Sequence, residues 1–180
     1  MMRIDPKYFN HFLAVVAAVA VILITFFTIN SRQSQKAAFK KHIFAQDSLK
    51  TVLWPSIESP DSVRISDFKG RFVIVDFWAN WSNASLASQK ELAKLKSAFP
   101  DTLKVIAASV GHSPETVRAY IQKHPFPFLF VNGSRPFVEF DIPGIPAQFV
   151  FNPSGDLQSI FLGYPDDSQY DSLRILISEK

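Results

Sequence analysis

Near its start the chain holds a run from which polar positions all but vanish. Between Phe12 and Ser31 no residue is charged, and Phe12–Ile29 reads FLAVVAAVAVILITFFTI. A helix over 12–31 rises about 30 Å, the thickness of a hydrocarbon core. Thr25 and Thr28 fall inside it, where their hydroxyls can return to backbone carbonyls of the same helix. A core helix of a soluble protein is usually shorter and keeps a polar stripe. A cleaved signal peptide has a shorter apolar stretch and a small-x-small site after it, and Thr28-Ile29-Asn30-Ser31-Arg32 offers none. The pattern predicts an N-terminal tail at 1–11 and an uncleaved signal anchor at 12–31. Arg3 and Lys7 precede the span and Arg32, Lys36, Lys40 and Lys41 follow it, so the positive-inside count does not choose an orientation.

After the span the pattern changes twice. Residues 32–52 form a polar juxtamembrane linker, with a helical stretch predicted over Gln35–Phe44. From Leu53 to the end the chain alternates strand and helix signals, which defines a domain at 53–180. Phe72–Trp78 (FVIVDFW) is the nearly continuous apolar run of a strand buried on both faces. Leu92, Leu95 and Phe99 then recur at helical spacing before Pro100. Leu103–Ala108 is the next strand. Ser113-Pro114-Glu115 opens a helix with an N-cap hydroxyl, a proline in the first turn and an acid near the positive end. That helix runs to about Lys123. A short strand at Phe128–Val131 and a short helix at Pro136–Phe140 follow. Ala147–Phe151 and Leu157–Leu162 flank Asn152-Pro153-Ser154-Gly155, a turn signal that makes them a hairpin. A helix over Ser168–Ile177 ends the chain. This order predicts an α/β sandwich with a mixed central sheet.

Composition changes the picture in two places. The net charge of +3 is uneven: residues 1–50 carry seven Lys/Arg against two acids, a net +5, and residues 51–180 twelve against fourteen, a net −2. The basic pI therefore reports the flanks of the apolar span, and no basic stripe in the folded part supports nucleic-acid binding. The 18 Phe supply a dense core, and the 12 Pro argue against long helices outside the N-terminal region. There is no cysteine, which excludes disulfides, thiolate nucleophiles, iron–sulfur clusters and thiolate zinc sites.

Two local sequences carry a resemblance. Asp67-Phe68-Lys69-Gly70-Arg71-Phe72-Val73-Ile74-Val75-Asp76-Phe77-Trp78-Ala79-Asn80-Trp81 resembles the segment that leads into the active site of the thioredoxin superfamily, most closely its membrane-anchored TlpA/ResA-like (redoxin) branch. Gly144-Ile145-Pro146-Ala147-Gln148-Phe149 resembles that family's cis-proline loop and the strand after it, with Pro146 lying 65 residues beyond Trp81. The resemblance spans roughly residues 53–178. It implies a thioredoxin-like sandwich, a cis Ile145–Pro146 bond, and an extracytoplasmic domain on a single-pass anchor in a bacterial inner membrane. The departure is at the reactive positions: the family's Cys-x-x-Cys reads Ser82-Asn83-Ala84-Ser85 here. A thiol can be tuned to a thiolate at a helix N-terminus, whereas a serine hydroxyl cannot form a mixed disulfide.

The remaining candidates follow from these motifs. Ser82 as a nucleophile would need a base and an orienting group in reach, and none of His11, His42, His112 and His124 stands in a motif that implies one. Ser82 is expected to cap the following helix instead. Asp76, inside an apolar strand, must be hydrogen-bonded, paired or protonated; a structural role is expected, with Lys104 of the neighbouring strand as one partner. Trp78, Trp81, Ile145 and Pro146 form an expected apolar groove for an extended peptide segment of another protein, read by β-augmentation at Ile145; the alternative is that the proline turn serves folding alone. The histidines have no metal-ligand spacing, and no cofactor is expected. The function expected is a redox-inactive binding or scaffold module at the cell envelope. Two alternatives stay open: an accessory member of a thiol–disulfide oxidoreductase system of the cytochrome-maturation type with a cysteine-bearing partner, and a serine- or metal-dependent enzyme on the same scaffold.

Overall fold

The computed structural model describes residues 6–178. The first five residues of the expected tail and the last two of the expected domain lie outside them.

The first helix, α1 (Pro6–Phe44), makes up the described part of the N-terminal unit as far as His42. It is long and apolar enough to cross a membrane over part of its length. Thr25 and Thr28 donate their hydroxyls to the carbonyls of Val21 and Ile24, at 2.8 and 2.7 Å, so neither leaves an unpaired donor on the apolar segment. The tail, span and helical linker stretch are not separate elements: between Lys7 and Phe44 there is no glycine or proline to interrupt the helix.

The second compact unit begins at Ile43 rather than Leu53. Ile43 and Leu49 are fully buried in it. The segment at 43–52, predicted as linker, is therefore part of the domain, anchored by two apolar residues too widely spaced to announce an element. A 3₁₀ turn over Asp47–Thr51 carries Leu49. A two-stranded ribbon follows, β1 (Trp54–Pro55) and β2 (Ser62–Val63). Trp54 is buried edge-on against Phe77, their ring centroids 5.7 Å apart.

The main sheet has five strands: β3 (Phe72–Trp78), β4 (Leu103–Ser109), β5 (Leu129–Asn132), β6 (Ala147–Phe151) and β7 (Leu157–Leu162). Their order is β5-β4-β3-β6-β7. β3, β4 and β5 run parallel, and β6 and β7 are antiparallel additions on the far side of β3. The helices α2 (Asn83–Ala98) and α3 (Pro114–Lys123) make the two parallel crossovers, α4 (Ser134–Glu139) follows β5, and α5 (Asp167–Ser178) ends the described chain.

β3 sits at the centre with every residue buried, which is why its sequence does not alternate. Its two faces still differ. Phe72, Ile74 and Trp78 join Leu92 and Leu95 of α2, Val117 of α3 and Leu173 of α5 in one core cluster. Asp76 shares their register and hence their face. Val73, Val75 and Phe77 point the other way. Ser56 and Ile57, beyond β1, pair with Val131 and Phe130, which covers the open edge of β5. The hairpin turn obeys its sequence: Gly155 has φ +86°, and the Asn152 side chain accepts the N–H groups of Ser154 and Asp156. Gly133 is needed for contact rather than conformation, since a Cβ there would lie 2.7 Å from the Ala108 Cβ.

Candidate functional site

The end of β3 delivers a short loop, Ala79–Ser82, to the N-terminus of α2. Ser82 has extended backbone dihedrals and its Oγ accepts the Ser85 N–H at 3.1 Å. This is the hydroxyl cap expected from the sequence. Ser85 is fully buried one turn into the helix, and its Oγ accepts the Ala79 N–H at 3.4 Å. The two hydroxyls that stand at the Cys-x-x-Cys positions thus bind backbone N–H groups on either side of the bend. Neither has a base among its partners.

Trp78 and Trp81 separate sharply. Trp81 is 73% exposed. Trp78 is fully buried, its ring packed on Tyr120 at 4.3 Å between centroids and near Phe130 and His112 at 6.0 Å each. The expectation that Trp78 lines a groove is corrected: it stands on the β3 face covered by α3, so it is core. Ile145 is half-buried, Pro146 is buried, and the peptide bond between them is cis. The Gly163 N–H donates to the Pro146 carbonyl at 2.9 Å. Among the described residues no hydrogen bond occupies the Ile145 N–H or C=O.

One histidine reaches this loop although its sequence position gives no sign of it. The Asn80 N–H donates to His112 Nε2 at 3.1 Å. That nitrogen must be unprotonated to accept, and partial burial lowers the ring's pKa in the same direction.

Asp76 heads a buried polar cluster. Opposite it in the β3–β6 register stands Gln148, whose Nε2 faces Asp76 Oδ1 at 3.4 Å, Ser88 Oγ at 2.5 Å and the Tyr170 hydroxyl at 3.4 Å. Gln89 of α2 donates to Asp76 Oδ2 at 3.5 Å and accepts the Tyr120 hydroxyl at 2.6 Å. Both bonds to the carboxylate are long and come from neutral donors, so they offset little of its lost hydration. Burial therefore dominates and pushes Asp76 up to about 7, with Gln148 and then Gln89 pulling the other way. Burial also pushes the Tyr120 hydroxyl up to about 12, with the Asp76 charge adding to it. Gln148 Oε1 is buried with no partner.

Lys104 takes no part in this cluster. It pairs with Val73 in the β3–β4 register and so lies on the opposite sheet face, its ammonium 5.5 Å from the centre of the Phe68 ring. One usable pointer to the true partner lies in the strands themselves: each of the apolar strands FVIVDFW and AQFVF contains one polar residue, and antiparallel neighbours can set two such residues face to face. Nothing in the helical stretches singled out Ser88, Gln89, Tyr120 or Tyr170. No group of three or more His, Asp or Glu side chains able to hold a metal ion occurs among the described residues.

Known proteins resemble this chain in sequence and fold. Residues 53–160 match the sequence profile of the AhpC/TSA family. The chain is 25% identical over 120 residues to the thioredoxin-like protein YneN of Bacillus subtilis, covering 64% of this chain and 67% of YneN. It is 23% identical over 118 residues to the thiol-disulfide oxidoreductase ResA of the same organism, covering 64% of this chain and 66% of ResA. Each alignment thus spans about two thirds of the relative. The thioredoxin domain of a thiol-disulfide oxidoreductase from Bacteroides vulgatus superposes with a TM-score of 0.60 at 22% identity, covering 70% of this chain and 92% of that one. The fold is thioredoxin-like.

Proposed function

The chain belongs to the AhpC/TSA family, and we propose that it acts there by binding, as a redox-inactive thioredoxin-like module that holds an extended segment of another protein. The observation that carries this reading is the pairing of spent groups after the end of β3 with open groups before the start of β6, two ends that the Phe77–Ala147 pairing sets side by side. Both Cys-x-x-Cys positions hold serines whose hydroxyls are committed to backbone N–H groups. Trp81 is exposed, and Ile145 keeps an open N–H and C=O beside Pro146. An extended peptide adds to such a backbone edge through main-chain hydrogen bonds, and an aromatic side chain supplies apolar area. The groove consists of Trp81, Ile145 and Pro146, without Trp78.

The setting is part of the proposal: a single pass of α1 through a bacterial inner membrane, with the domain outside the cytoplasm. The apolar length of α1 and the bacterial relatives support it. A reporter fused to the C-terminus, active on only one side of the membrane, tests the side.

The binding reading is tested by placing a photo-crosslinking residue at Ile145 in the full chain, with and without Trp81→Ala. Adducts to a defined partner segment that disappear with Trp81→Ala support it; identical adducts in both chains sink it. The relatives' names favour a second reading, in which the chain assists a cysteine-bearing oxidoreductase. That version requires disulfide reduction to accelerate when this chain is added to such a partner, and none from this chain alone.

A further inference from the structure

The backbone ladder between β3 and β4 ends one bond early. Its last rung is the Val110 N–H, which donates to the Trp78 carbonyl at 3.0 Å. With Trp78 opposite Ser109, the even spacing of a parallel pair would next join the Asn80 N–H to the Val110 carbonyl. That donor goes instead to His112 Nε2, at 3.1 Å. A side chain thus supplies the rung at the start of the loop that bears Trp81. The loop's other hydrogen bonds, from the Ala79 N–H to Ser85 Oγ and from the Ser82 N–H to the Ala79 carbonyl, stay within the loop and α2. Among the described residues, His112 is the one group that ties this loop by a hydrogen bond to an element other than β3 and α2.

The ring is held in place from both sides of its own residue. Gly111, with φ +74°, turns the chain after β4, and its N–H donates to Ser134 Oγ at 2.9 Å. Ser113 caps α3 by accepting the Thr116 N–H. His112 stands between these anchors, half-buried, with its ring 6.0 Å from that of Trp78.

We propose that His112 is the positioning residue for Trp81: its neutral ring holds the loop at Asn80, and protonation of the ring releases the loop and weakens binding of a partner segment. The effect on binding rests on the peptide-binding reading, whereas the hold on the loop does not. Nε2 accepts through its lone pair, and a proton there would set two donors against each other. The surroundings leave the ring to decide alone. No charged side chain occurs from Ala79 to Gln89. Glu115 of α3 meets Arg118, and Arg135 of α4 meets Glu139. Tyr120, packed on Trp78, is pushed up to about 12 and stays neutral. Asp76, on the same face of β3 as Trp78, is raised to about 7, so as pH falls it takes its proton first. The Trp78 ring is tilted by 45° at 6.0 Å, the limit of cation–π range, and offers an imidazolium little. Burial moves the His112 ring below its usual 6.5, so release belongs to mildly acid conditions.

The full chain, 15N-labelled in detergent micelles, should be followed by NMR from about pH 7.5 to about pH 5. The Asn80 amide and Trp81 indole signals should move with the midpoint of the His112 ring. In H112Q, whose amide oxygen replaces the acceptor and does not titrate, both signals should keep their high-pH positions. The yield of crosslinks from Ile145 should fall roughly fivefold in the wild type over the same change, the worth of one hydrogen bond. It should hold steady in H112Q and be low at every pH in H112F, which has no acceptor. Asn80 and Trp81 signals that ignore the ring's midpoint overturn the proposal, and so does a pH response equally large in H112Q. If H112F fails to fold, the wild type and H112Q decide between them. Adducts absent at every pH sink the peptide-binding reading, and a shared midpoint then still supports the hold on Trp81.

Discussion

The N-terminus of α2 and the cluster around Asp76 are both polar places in an apolar molecule, and they treat polarity in opposite ways. At the helix end, four backbone N–H groups have no partner within the helix, so an oxygen there is an asset. Ser82 and Ser85 each accept a backbone N–H, and replacing a sulfur by a hydroxyl leaves nothing unsatisfied. Inside the sheet, Asp76 has lost its water and found only two long bonds from neutral amides, while Gln148 Oε1 has found nothing. A proton on the carboxyl removes the charge whose hydration is lost, which is the direction in which burial moves Asp76. The contrast teaches that reactivity at the helix end can be removed at little structural cost, whereas the buried acid depends on its proton and its partners.

The largest effect should come from putting thiols back. If the helix end has lost only its reactive atoms, Ser82→Cys with Ser85→Cys should yield a chain that forms an internal disulfide and reduces protein disulfides, where the wild type does neither. An insulin-reduction assay and a count of titratable thiols read both outcomes. A folded double variant with free thiols and no reductase activity would mean that more than the sulfurs has changed at this end of α2.

The next largest concerns Asp76. Its folded pKa, about 7, lies above the value near 3.8 of an exposed aspartate. A group raised in this way contributes stability that is fully present below the unfolded pKa and is lost as pH rises through the folded one. The loss should run from about pH 4 to about pH 7, and over that window it amounts to at most roughly 4 kcal/mol. Urea unfolding of the wild type across these pH values should show the decline. Asp76→Asn has no charge to bury and should be flat over the same range, exceeding the wild type at pH 8. Equal slopes in the two proteins would sink the assignment.

A smaller effect separates the two serines. Ser82→Ala removes a cap and should cost about 1 kcal/mol, with Ser82→Gly costing only a few tenths. Ser85→Ala gives up a longer, weaker bond to Ala79 and should cost less than Ser82→Ala. Thermal unfolding of the three variants checks the order. This difference was half legible in the sequence. A serine just before a helical repeat announces a cap, but burial of Ser85 depends on how α2 lies on the sheet, which no local pattern encodes.

The same division runs through the whole chain. Strand β3 was readable because burial on both faces leaves an unbroken apolar word, and the β6–β7 hairpin because Asn152-Pro153-Ser154-Gly155 fixes its turn. The ribbon of β1 and β2 was not, since two-residue strands have no period, and the Trp54 ring that anchors the first of them packs on Phe77, 23 residues further along the sequence. The reach of His112 to Asn80 spans 32 residues and two elements. The buried cluster joins β3, β6, α2, α3 and α5, each contributing one or two polar residues that look unremarkable in their own segments. Contacts of that kind are properties of the assembled sheet.

The smallest predicted change in stability falls on the residue given the largest binding role. Trp81 is 73% exposed, and exposed side chains away from caps and networks usually move stability by no more than about 0.5 kcal/mol on substitution. Trp81→Ala should therefore unfold within that margin of the wild type in urea. It should nonetheless lose the crosslinks formed from Ile145. The two readouts together distinguish a surface kept for binding from one kept for folding, the alternative that the sequence left open for the proline turn. A variant that is much less stable would place Trp81 in the fold. One that is equally stable and still forms every adduct would leave the exposed indole with no part in binding.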